Sequence, residues 1–187
     1  VLTDLRLLVV LAVTMFSMSG QFTLFTYISP VLAGPYGLGG PAIALVFLAV
    51  GAVGVAGNYA AARGATAFGL DRSILLALAL VGGGLALIWA GWGTLWVFVA
   101  GGCLWGMGGF AANSLQQSRL VALAPALASA TVALNTSAVY LGQSLGSATG
   151  AALILDGAGA EMAAAGAGFA LAAMACSVLA ARMRPSG

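Results

Sequence analysis

Six uninterrupted apolar runs constrain this chain more than any motif does. They fall at about 7–28, 42–62, 73–90, 95–118, 128–155 and 162–181. A helix rises about 1.5 Å per residue, so roughly 20 apolar residues cross the hydrocarbon core of a bilayer. Each run is long enough. None alternates apolar with polar residues, which a membrane β-barrel would require. The expected fold is therefore an all-α membrane protein, a single bundle of six transmembrane helices over 1–187. Composition agrees on the solvent: 62% of residues are hydrophobic and 5% charged, against about 25% charged in a soluble domain.

Arginine placement gives an orientation. Cytoplasmic loops keep positive charge and short translocated loops lose it. Arg6 precedes the first run, Arg63 and Arg72 flank the second connection, Arg119 follows the fourth run, and Arg182 and Arg184 follow the sixth. The opposite connections, 29–41, 91–94 and 156–161, contain neither Lys nor Arg. Both termini are expected in the cytoplasm, and the protein in a cell membrane, with a bacterial inner membrane as the setting. The net charge of +2 comes from basic residues scattered at helix ends. Such scatter marks topology and gives no surface for nucleic acid. Because the chain opens on Val1, it reads as a fragment or a processed piece of something longer.

Polar groups inside the runs carry the functional argument. Asn113, Gln116 and Gln117 lie within about one helical turn, and Asn135 and Gln143 recur in the next run. The first run adds Gln21 and Phe25, on a stripe with Thr14 and Ser17. Amides at membrane depth either fasten helices together or line a polar route. An amide supplies donors and an acceptor without burying a charge, which suits a neutral solute. Gln21, Phe25, Asn113, Gln116, Gln117, Asn135 and Gln143 are the candidate substrate contacts. Asn58, Arg63, Asp71 and Arg72 form a short charged region that either latches the bundle or caps helix ends. Gly51, Gly54 and Gly57 give the second run a packing face, and the third run reads as a lipid-facing support. Trp89, Trp92 and Trp96 mark the membrane interface.

Catalysis finds no footing. The chain has no His, and Cys103 and Cys176 sit inside apolar runs without metal-ligand spacing, so neither a metal nor a cofactor is expected. Gly142-Gln143-Ser144-Leu145-Gly146 spells a nucleophile elbow, but it lacks a base and a strand-to-helix turn.

The segment from Asn113 through Arg119 and Pro125 to ASATVALNTSAVYLGQSLGSATGA resembles the tenth and eleventh helices of the major facilitator superfamily. The likeness is to its drug/proton antiporter group, near the sugar and ribonucleoside efflux permeases. FTYISPVL, from Phe25 to Leu32, is similar to the end of the seventh helix, and Gly57-Asn58 followed by Arg63 to the start of the eighth-to-ninth connection. The resemblance implies one half of a major-facilitator-type bundle, the carboxyl-terminal six of twelve helices. It implies proton-driven export of a small organic solute from a cavity shared with a missing amino-terminal half or a second copy. The acidic residue usual in that connection is absent before Asp71. No Asp, Glu, His or Lys stands in a central segment, so the proton site is expected in the other half. The alternative is a non-transporting remnant or structural subunit whose amides only pack helices.

Overall fold

The computed structural model describes residues 4–183 and is all helical, with six helices long and apolar enough to cross a membrane among those residues. The first span is α1, Leu5–Phe25, followed by the short α2, Ile28–Ala33. The others are α3, Gly40–Phe68; α4, Leu70–Ala90; α5, Leu95–Leu123; α6, Ala128–Leu155; and α7, Gly159–Arg182. Arg184 lies outside the described residues.

Three boundaries depart from the sequence reading. The first span was expected to run unbroken to 28, with Pro30 ending it. It breaks earlier, at Thr26 and Tyr27, and Pro30 sits in the first turn of α2. Proline has no N–H to offer the carbonyl four residues back, which belongs to Thr26, so the chain restarts there and places Pro30 where a missing donor costs nothing. Helix α3 continues past 62 to Phe68, and α5 past 118 to Leu123. At 29 residues each, these helices are about 43 Å long and exceed the roughly 30 Å hydrocarbon core. The expected 63–72 connection thus shrinks to Gly69, whose φ of +88° lets one residue reverse the chain between α3 and α4.

Small residues set the packing, because lipid supplies no hydrophobic drive between helices and close backbone approach supplies the dispersion contact instead. Helix α6 lies parallel to α1, with Gly142, Gly146 and Gly150 seated against the backbone carbonyls of Met15, Ser19 and Thr23. A methyl group at any of the three would collide with that backbone. Helix α3 approaches α5 in a similar way, with Gly54 against Phe110 and Gly57 against Met107. Gly51, expected on the same face, meets nothing nearby.

The neighbours repeat. Helix α1 packs on α6 and α7, α5 packs on α3 and α4, and α4 meets α7. Exchanging the first three spans for the last three reproduces that set of contacts. Each triplet contains an odd number of spans, so the two cross in opposite senses, an inverted three-plus-three repeat. Helix α4 is no peripheral support, contrary to the sequence reading. Ile74, Leu78, Val81, Leu85 and Ile88 are fully buried between α5 and α7, while Leu76 and Leu87 face outward. Flanking helices α3 and α6 are the most exposed spans.

Candidate functional site

Two sets of polar side chains, sorted by their partners, occupy the interior. The first joins three helices, with Gln116 Oε1 in it left without a hydrogen-bond partner among the described residues. Thr14 Oγ1 on α1 donates to Asn135 Oδ1 on α6 at 2.7 Å. Gln116 Nε2 on α5 donates to the Val10 carbonyl at 3.1 Å and lies 3.5 Å from Thr14 Oγ1. All three side chains are buried. Gln116 and Asn135, both expected solute contacts, make hydrogen bonds that join α1, α5 and α6. The physical reason is register: the glycine face of α6 brings that helix so close to α1 that Asn135 meets Thr14 directly.

The second set lines a cavity of about 320 Å³ between α1, α3 and α5. Helix α1 contributes Met18, Gln21, Phe22 and Phe25, α3 contributes Val50 and Asn58, and α5 contributes Trp105, Phe110, Asn113 and Ser114. Gly106 and Gly109 form part of the α5 wall. Gly109 is the midpoint of α5, and Val50 and Asn58 straddle the midpoint of α3, so the cavity lies level with the middle of both helices. Exposed Phe25, Phe110 and Ser114 open it to one side of the bundle.

Glycine shapes this wall. A methyl at Gly109 would strike Gln21 Oε1, so the bare backbone is what admits the Gln21 side chain. Gln21 Nε2 donates to the Ser17 carbonyl at 3.2 Å and lies 3.3 Å from Ser17 Oγ. Phe25 stands edge-on to Trp105, with centroids 5.9 Å apart, and edge-on to Phe47 at 6.0 Å, arrangements that favour aromatic contact. Asn113 Oδ1 is buried and has no hydrogen-bond partner among the described residues. Asn58 likewise makes no hydrogen bond there.

Of the seven expected contacts, Gln21, Phe25 and Asn113 meet at the cavity. Gln117 is exposed on another face of α5, and Gln143 is half-buried on α6; neither lines it. Sequence reasoning missed Trp105 and Phe110, which look like ordinary membrane aromatics until α3 and α1 are placed beside them. Asn58 had been assigned to the latch. Its spacing of four from Gly54 would have put it on the same α3 face, toward α5, and could have revealed it.

The other latch candidates separate at the end of the bundle that carries the arginines. Arg63 stacks over the Tyr59 ring at 4.8 Å, a cation–π contact along α3. Arg72 is exposed. Asp71 pairs with Arg119 at 3.5 Å, and Arg119 Nη1 and Nη2 donate to Ser177 Oγ at 3.1 Å and the Ser177 carbonyl at 3.3 Å. Arg119 is 3% exposed. It therefore does more than mark topology, as the sequence reading had it: it ties α5 to α4 and α7. At the opposite end, Tyr36 accepts a hydrogen bond from the Gly93 N–H at 3.1 Å and packs edge-on to Trp92 and Phe98. Burial raises its phenol above the ordinary value, and the Gly93 contact partly offsets that.

A scan against models of known protein families finds no match to this chain.

Proposed function

We propose that this chain is one half of a secondary transporter that exports a small organic solute in exchange for protons when joined to a second six-helix bundle. One observation carries the reading: a cavity walled by amides and aromatic rings, level with the middles of α3 and α5, with Asn113 Oδ1 buried beside it and without a hydrogen-bond partner among the described residues. Unpaired polar side chains are expensive at that depth and mark solute or ion routes in membrane proteins. The inverted three-plus-three arrangement is also the internal symmetry of each half of a major facilitator transporter, which supports the resemblance noted in the sequence.

The two sides of the bundle differ in a way that suits a partner. Exposed residues on α4 and α7 include Leu76, Leu87, Leu171 and Leu179, which suit lipid. On α5 and α6 exposed Leu104, Leu141 and Leu145 are interspersed with exposed Gln117, Ser118, Thr136, Ser137, Tyr140 and Ser144. Hydroxyls and amides in such a stripe are better matched by protein or water than by acyl chains. An amino-terminal half or a second copy would cover them and close the cavity. Because the lining holds no titratable carboxylate or imidazole, the proton site belongs to that partner. Asp71 and Arg119 would serve as the latch, steadying the arginine-bearing ends while the halves rock.

A pH-gradient assay in proteoliposomes, with and without an added amino-terminal half, tests this. Solute should move with both halves present, and Asn113→Leu should slow it. No movement in either preparation would favour a second reading, a structural membrane subunit, to which the interhelical hydrogen bonds of Gln116 and Asn135 lend support.

A further inference from the structure

Resting on the reading of the cavity as a solute site, we infer that its ligand is an uncharged, flat ring system bearing a hydrogen-bond donor and acceptor on neighbouring atoms, as a lactam edge does. Asn58 and Asn113 line the wall and neither makes a side-chain hydrogen bond among the described residues, the Asn113 Oδ1 being buried without one, whereas Gln21 already spends its NH₂ on Ser17. A free carboxamide presents a donor beside an acceptor, and rotation about χ2 exchanges which of them faces inward. A ligand with the complementary edge makes two parallel hydrogen bonds at once, the geometry by which Asn reads the edge of adenine.

The remainder of the wall selects the body of the ligand. Phe25 and Trp105 present ring edges and faces at right angles to one another, and Phe110 adds a third ring. A planar arene fills such a corner with favourable stacked and edge contacts. About 320 Å³ is at the low end for small-molecule sites, which suits one or two fused rings.

The same inventory excludes other classes. No charged side chain lines this bundle's side of the cavity, so a carboxylate, phosphate or ammonium would gain no counter-charge from it. A hexose brings about five hydroxyls, each a donor and an acceptor. Against these the wall offers two free amides, the half-used Gln21 and Ser114, whose hydroxyl already leans on the Phe110 carbonyl at 3.4 Å. A sugar would leave several groups unpaired, so the cavity favours the ring-bearing solute over the sugars that the family resemblance admits.

The test uses the full 187-residue chain in lipid nanodiscs and equilibrium binding of 2-quinolone, which carries a lactam edge on a fused arene. N-methyl-2-quinolone removes only the donor and should bind about tenfold more weakly, the loss of one hydrogen bond. Asn113→Leu and Asn58→Leu should each lose a similar factor for 2-quinolone, with no loss of helicity. 2-Quinolone-4-carboxylate and D-glucose should compete at least tenfold less well. Equal binding of the N-methyl probe to the wild-type chain, or tighter binding of glucose, would overturn the assignment of ligand class while leaving the cavity a solute site. Binding no greater than to empty nanodiscs for every probe would also overturn it. The proteoliposome assay judges the transport reading separately.

Discussion

Gln116 and Asn113 are one helical turn apart on α5, and both are amides in a membrane, yet the structure uses them in opposite ways. Gln116 reaches α1 and joins a set with Thr14 and Asn135. Asn113 reaches the cavity and finds no partner in the protein. Residue type and depth cannot separate the two cases. Whether a neighbouring helix arrives with a complementary group does: the Gln116 NH₂ finds the Val10 carbonyl, while Gln116 Oε1, like Asn113 Oδ1, is buried without a hydrogen-bond partner among the described residues, at about 1–3 kcal/mol for such a group.

The comparison breaks most severely if the helices that carry Thr14, Asn135 and Gln116 are forced apart. Gly146→Leu puts a side chain into the Ser19 backbone. It should cost about 3 kcal/mol or more of folding stability, read as loss of a cooperative melt in detergent; an unchanged melt would mean α6 is not held by its glycine face. Asn135→Leu is the milder version. Removing the acceptor of Thr14 should destabilise the bundle by about 1–2 kcal/mol, with ligand affinity at the cavity changed less than twofold.

Asn113→Leu should do the reverse, holding thermal stability within about 0.5 kcal/mol of the parent or raising it, since the change removes a buried unpaired oxygen. If Asn113→Leu and Asn135→Leu lowered stability equally, the division into two sets would collapse. Gln117→Leu sharpens the contrast as an internal control. Exposed and away from the cavity, it should alter neither the melt nor solute binding, and a change appearing only once a second bundle is present would place it at the seam.

The smallest effect lies outside both sets. Tyr36 is held above its ordinary pKa by burial, so its neutral form is the one the fold favours. Its contribution to stability is complete below the unfolded phenol value and fades as pH rises through the higher folded value. An ultraviolet titration should find one tyrosine ionising later than its fellows, and Tyr36→Phe should remove that late component.

Much of the scaffold could be read directly. Six spans, their order and the grouping of Arg6, Arg63, Arg72 and Arg119 toward one end follow from apolar length and loop charge. Boundaries were harder: α3 runs on through the Ala-rich stretch 59–68 and α5 through Arg119 to Leu123, and nothing in local composition announces that Gly69 alone turns the chain. The site was half legible. Gln21, Phe25 and Asn113 were found as polar or aromatic residues at depth. Asn58, expected beside the charged connection, also lines the cavity, and Trp105 carries no sequence signal of its own because membrane aromatics are common.

What the chain alone determined, then, is its solvent and its number of crossings. Transfer of side chains from water to hydrocarbon adds up residue by residue along a segment, so a local run is enough to decide insertion. Only the tertiary structure decided which amides are spent and which are free, that Arg119 is buried against Ser177 and Asp71, and that α1, α3 and α5 leave a hollow between them. Hydrogen bonds act over about 3 Å, and the partners that satisfy or abandon each group come from helices up to 121 positions distant in the sequence.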